Sequence, residues 1–107
     1  MAKELSICER INKCMGLGKL SVGDIAVWLG RPSPTVRTWQ YWGRTPSLIF
    51  LEDVERRLTL LEHRVRQLAK GQRLLPYETS QKARRALLKD MLDADLNRRV
   101  SRKNSAA

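Results

Sequence analysis

The segment Leu20–Ser47, LSVGDIAVWLGRPSPTVRTWQYWGRTPS, carries start and stop signals so closely spaced that it leaves room for little except two short helices and a tight turn. Ser21 is placed as an N-cap, with Asp24 three residues on as its reciprocal partner near the positive helix end. Ile25, Ala26 and Leu29 share one side of the helix that follows, and Gly30 ends it because glycine tolerates positive φ. Ser33-Pro34 then opens a second helix. Serine caps, and proline suits the first helical position, where no N–H is needed. Val36 and Trp39 face inward, whereas Arg37, Thr38, Gln40 and Tyr41 are expected outside. Gly43-Arg44-Thr45-Pro46 closes the unit.

The flanks also read as helices. Leu5, Cys8, Ile11 and Met15 recur at spacings of three and four, so a first helix is expected from Lys3 to Met15, stopped by Gly16-Leu17-Gly18. A longer helix is expected over 48–70. Its apolar residues Leu51, Val54, Leu58, Leu61, Val65 and Leu68 form a heptad stripe, with Leu51, Leu58 and Val65 at a and the others at d. Glu55 and Glu62 fall at e, and Arg57 and Arg64 at g. In a parallel pair Arg57 would face Glu62 of a partner, although each such surface pair is worth only ~0.5 kcal/mol. The six stripe residues are therefore the expected oligomerisation seam; a helix folded back on its own domain gives the same pattern. Gly71 to Tyr77 is a connector, and Thr79 or Ser80 caps a last helix reaching Val100, with Leu87, Leu88, Met91, Leu92 and Leu96 as its stripe. Arg98 and Arg99 suit its negative end. No strand-like alternation occurs. The expected chain is all-α: a helix-turn-helix domain over 1–47, a helical oligomerisation region over 48–100 and a disordered basic tail over 101–107.

Charge points to a partner. Lys plus Arg number 21 against 11 Asp plus Glu, a net charge of +10. Such a balance speaks to polyanionic partners rather than to fold. Bases exceed acids by seven to three over 1–46, six to four over 47–77 and eight to four over 78–107. The middle section is the most balanced and is the expected place for protein contact. Lys82, Arg84, Arg85 and Lys89 are read either as a phosphate grip or as a solvated face. Trp39 is expected in the core; Trp28 and Trp42 are open between core packing and a stacking surface for single strands.

Other classes find little support. Cys8 and Cys14 with the single His63 cannot supply four zinc ligands, and buried reduced thiols are expected. No nucleophile–base arrangement or phosphate loop is present, and Asp90, Asp93 and Asp95 cannot share one helical face. No catalytic residue, metal or cofactor is expected. No signal-peptide pattern is evident, and no apolar run nears the ~20 residues of a membrane span. The expected location is the bacterial or phage-infected host cytoplasm, with no membrane partner.

Ala26, Gly30, Val36 and Trp39 stand at the spacing of a helix-turn-helix, and the run Thr35-Val36-Arg37-Thr38-Trp39 followed by Gly43-Arg44-Thr45-Pro46 carries its second half. This stretch resembles the lambda-repressor/Cro superfamily in its bacterial and phage forms. Two departures stand out: Arg31 replaces an apolar turn residue, and the Trp39-to-Gly43 spacing is one residue longer than usual. MerR-type proteins share a similar run without the winged half being evident here. The resemblance implies a non-enzymatic, sequence-specific binder of double-stranded DNA, working as a homo-oligomer in transcription regulation. It places Arg31, Ser33, Thr35, Arg37, Thr38, Gln40, Tyr41 and Arg44 at the DNA, with Arg37 on a guanine edge, Thr38 on a base edge or thymine methyl and Ser33 on a phosphate. The overall order is also similar to phage small terminase subunits, which implies a DNA-packaging role, a ring and contact with a phage motor subunit.

Overall fold

The computed structural model describes residues 6–76 and 80–105, with side chains through Asn97. Five helices follow one another: α1 (Ile7–Gly18), α2 (Val22–Leu29), α3 (Ser33–Tyr41), α4 (Leu48–Arg66) and α5 (Gln81–Ser105). No strand occurs among the described residues. None of the described helices is long and apolar enough to cross a membrane.

Local chemistry sets the boundaries. A capping box starts α1: the Glu9 N–H donates to Ser6 Oγ at 3.2 Å, and the Ser6 N–H donates to Glu9 Oε1 at 3.3 Å. The helix therefore begins four residues later than the sequence suggests, and Leu5 lies outside the described residues. Its buried face is Ile7, Ile11, Cys14 and Gly18, with Cys8 and Met15 at the margins. The glycines Gly16 and Gly18 do not stop it. α1 runs through both and ends on Lys19, which takes the left-handed conformation at φ 53°. Gly18 serves close approach instead: a Cβ there would stand 2.9 Å from Val65 Cγ1 of α4.

The expected Ser21–Asp24 box at α2 is present, with bonds of 3.1 and 3.2 Å. Gly30 sits at φ 67°, and the Arg31 N–H reaches back to the Ala26 carbonyl at 3.1 Å, closing a Schellman turn. α2 is buried nearly all round, through Gly23, Asp24, Ile25, Ala26, Trp28 and Leu29. It is the central helix, packed on α3, α4 and α5.

α4 is shorter than the heptad reading, ending at Arg66, and its stripe is covered from within the chain. Val54, Leu58, Leu61 and Val65 are buried, and Leu51 and Leu68 pack at the edge of the same cluster, which draws on all five helices. Four of the six stripe residues are thus covered by the chain itself, and the other two are partly covered. The boundary expected at residue 47 is thus a connector inside one core. Three of the four charges flanking the stripe are likewise committed internally, and the fourth, Glu55, is exposed. Glu62 receives Arg10 of α1 in a two-point ion pair at 2.7 and 3.3 Å. Arg57 pairs with Asp53 of its own helix at 3.1 Å and donates to the Trp28 carbonyl. Arg64 grips Asp95 of α5 at 2.7 and 2.8 Å.

α5 lies on α2 and α4 through Leu88 and Leu92. Neither a solvated face nor a phosphate grip describes its first two arginines. Arg84 donates to the buried Asp24 at 3.1 Å, and Arg85 Nε stands 3.8 Å from the same carboxylate. A Cβ on Gly23 would overlap the Arg85 guanidinium, so α2 offers a glycine where the arginine must pass. The helix also continues through Ser105, so residues 101–105 of the expected disordered tail are helical; 106–107 lie outside the described residues, as does Thr79, one of the two expected caps.

Cys14 shows how closed the α1–α4 contact is. Burial pushes its thiol up to about 11, which keeps it protonated and poorly nucleophilic at neutral pH. Iodoacetamide should modify Cys14 in the native chain only after denaturant is added. Peptide mapping that found Cys14 alkylated as fast natively as in urea would contradict this packing.

Candidate nucleic-acid interface

α3 is held by two inward side chains, Val36 and Trp39, both in the core. Their spacing leaves Pro34, Arg37 and Tyr41 along the opposite, exposed face, one helical turn apart. Arg37 makes no ion pair or hydrogen bond among the described residues. Arg44 and Arg66 are exposed and without an ion pair in the same way, whereas Arg10, Arg56, Arg57, Arg64, Arg84 and Arg85 all reach a carboxylate.

For Arg37 and Arg44 the reason lies in a signal that motif reading passes over. No Asp or Glu occurs between Asp24 and Glu52, while Arg31, Arg37 and Arg44 do. The turn, α3 and the following connector therefore carry three arginines and no acid of their own, and the acids that flank them in sequence, Asp24 and Glu52, lie on α2 and α4. A one-sign segment of this kind attracts a polyanion and has no internal counter-charge to displace.

The start of α3 differs from expectation by one residue. Pro32, at φ −61° and ψ 145°, takes the N-cap position, Ser33 is the first helical residue and Pro34 the second. Proline is tolerated throughout a first turn, because the N–H it lacks has no intrahelical acceptor. No side chain caps this end. The first-turn amides thus remain open beside the half-buried Ser33 hydroxyl, which suits a phosphate oxygen.

The other expected contact residues divide. Thr38 Oγ1 donates to the Thr35 carbonyl at 2.7 Å, which leaves its methyl and lone pairs for a ligand. Tyr41 is 73% exposed and Arg44 is exposed. Gln40 does not belong to this face. Its Nε2 donates to Asn12 Oδ1 at 3.0 Å, and its carbonyl accepts from the Cys8 thiol at 3.0 Å, so the residue ties α3 to α1. Arg31 lies over the Phe50 ring, 4.0 Å from its centroid, which holds the guanidinium on the protein wall. Of the tryptophans, Trp28 is wholly buried with its indole N–H donating to the Arg57 carbonyl at 2.7 Å, Trp39 is in the core, and Trp42 is exposed.

Among the described residues no cluster of three or more His, Cys, Asp or Glu is arranged to hold a metal ion. No protein-family model matches the chain, and no curated protein or solved structure proves similar to it. The surface offers a short helix, the unpaired guanidinium groups of Arg37 and Arg44, an exposed phenol and an uncapped first turn, on segments that carry no acid.

Proposed function

We propose that this chain is a non-enzymatic, sequence-specific binder of double-stranded DNA that presents α3 to the major groove, in the manner of the helix-turn-helix it resembles. The acid-free basic segment carrying Arg37 unpaired is the observation that carries the reading. A helix of this width fits the groove, and a guanidinium is the usual partner of guanine O6 and N7. Tyr41, one turn on, and Arg44 in the connector extend the same face toward the backbone. Ser33 and the open first turn of α3 suit a phosphate. Arg37 reads; the rest position. The biological use that follows most directly is transcription regulation by a homo-oligomer.

The test is fluorescence anisotropy against a duplex selected from a random pool, with random duplex as the comparison. Arg37→Ala should weaken the selected site by about 10- to 100-fold, the value of one good base contact, and random duplex far less. Equal losses on both would remove the base-reading role. Affinity should fall with salt at a log–log slope near about −5 if roughly six phosphates are contacted. A chain that serves instead as a scaffold for an acidic protein would shift no duplex at moderate salt.

A further inference from the structure

Large apolar side chains are concentrated on the surface at one place. Tyr41 and Trp42, at the end of α3, are 73% and 76% exposed; Leu48 and Ile49, at the start of α4, are 88% and 85% exposed. A connector of five residues, 43–47, joins the two pairs, and it is held short by the Arg44 N–H donating to the Thr38 carbonyl at 3.2 Å and by the buried Pro46. Aromatic side chains carry about 150–250 Å² each, so Tyr41 and Trp42 expose roughly 300 Å² at their fractional exposures, and the aliphatic Leu48 and Ile49 bring the four to roughly 500 Å² of apolar surface. A patch of that size matches the largest on a typical monomer, which is often a binding site. It is also most of the ~800 Å² per partner that a stable interface needs.

We propose that this corner between α3 and α4 is where a second copy of the chain docks. The rim says which occupant fits. Arg44 is exposed on the connector, and Glu52 is exposed on α4 three and four residues beyond Ile49 and Leu48, on the same helical side. Neither has an ion-pair partner among the described residues. A two-fold pair places the same patch against itself, so Arg44 of each copy can meet Glu52 of the other. An apolar patch bordered by one unpaired charge of each sign is complementary to itself. It is not complementary to an acidic partner, which Glu52 would repel. The proposal deepens the homo-oligomer reading above and shares Tyr41 and Arg44 with the proposed DNA face, so pairing is tested on the DNA-free chain, where its failure leaves duplex binding by Arg37 as a separate result.

Light scattering on the DNA-free chain tests it. The wild-type chain should run at twice 12.3 kDa and dissociate on dilution. Ile49→Glu should weaken the dimer by at least about tenfold, as expected for an anchor at an interface centre. Leu17→Glu, an exposed apolar position elsewhere on the molecule, should leave the mass unchanged. Arg44→Glu and Glu52→Arg should each weaken the dimer, and the double variant should restore it. Circular dichroism checks that the variants remain folded, which their exposure allows. A wild-type chain that stays at single mass overturns the proposal and leaves the corner to a partner of another kind. A mass indifferent to Ile49→Glu, or a double variant no better than its parents, overturns it equally.

Discussion

Leu61→Asp should abolish the folded state at every protein concentration. Leu61 has no solvent exposure and sits in the middle of the stripe that α4 turns toward α1, α2 and α5. Truncating such a leucine to alanine alone costs about 2–5 kcal/mol. An aspartate adds the cost of a carboxylate with no cation or hydrogen-bond donor placed for it. A domain of this size has only about 5–15 kcal/mol of stability. Far-UV circular dichroism should therefore show no cooperative melting transition, and proton spectra should lose dispersion. The alternative outcome is specific. If the stripe were a seam between chains, the same variant would be a folded species of lower mass. Finding that species would mean that α4 is covered by another chain. Leu61→Met, which nearly conserves volume, should stay folded and lose less than about 1.5 kcal/mol.

Asp24→Ala carries the second large effect, expected at about 3–5 kcal/mol in urea denaturation. The carboxylate is 1% exposed, and two helices depend on it. One oxygen accepts the Ser21 N–H at 3.1 Å and the Arg84 guanidinium at 3.1 Å; the other faces Arg85 Nε at 3.8 Å. Removing it uncaps α2 and strands two partly buried guanidinium groups against the core. Ser21→Ala removes only the hydroxyl side of the box and should cost ~1 kcal/mol. The difference between the two variants measures what the α2–α5 link adds beyond capping. Hydrogen exchange gives it a location, since amides of α5 should lose more protection in Asp24→Ala than in Ser21→Ala. A loss of under about 1 kcal/mol for Asp24→Ala would mean that α5 is held by its leucines alone.

Several features of this fold were legible in the residues because they are settled within a few positions. Ser21 and Asp24 cap α2 through bonds that span three residues, and Gly30 ends it through its own φ. Val36 and Trp39 turn inward because their spacing matches the helical period. Other signals were ambiguous for a physical reason. Gly16-Leu17-Gly18 has the composition of a helix stop, yet Gly18 is small so that Val65 can approach. Gln40 is polar and close to the exposed face, yet Asn12 stands within reach on α1 and draws it in. Arg84 and Arg85 look like solvent-facing bases until Asp24, sixty residues earlier, is seen beneath them. The absence of acids from Asp24 to Glu52 was the sequence signal best suited to finding the basic face, and counts over longer segments averaged it away.

The succession of helices, the caps of α2, the inward positions of α3 and the positive balance were determined by the sequence alone, since each follows from neighbours one or two turns apart or from simple counting. The tertiary structure decided what covers each stripe. A heptad pattern states that one side of α4 leaves water, and burial by α1, α2 and α5 satisfies that demand as well as burial by a second chain does. The same folding decided which arginines are committed to carboxylates and which, Arg37 and Arg44 among them, are left facing outward, because ion pairing depends on distances through space that no local pattern encodes.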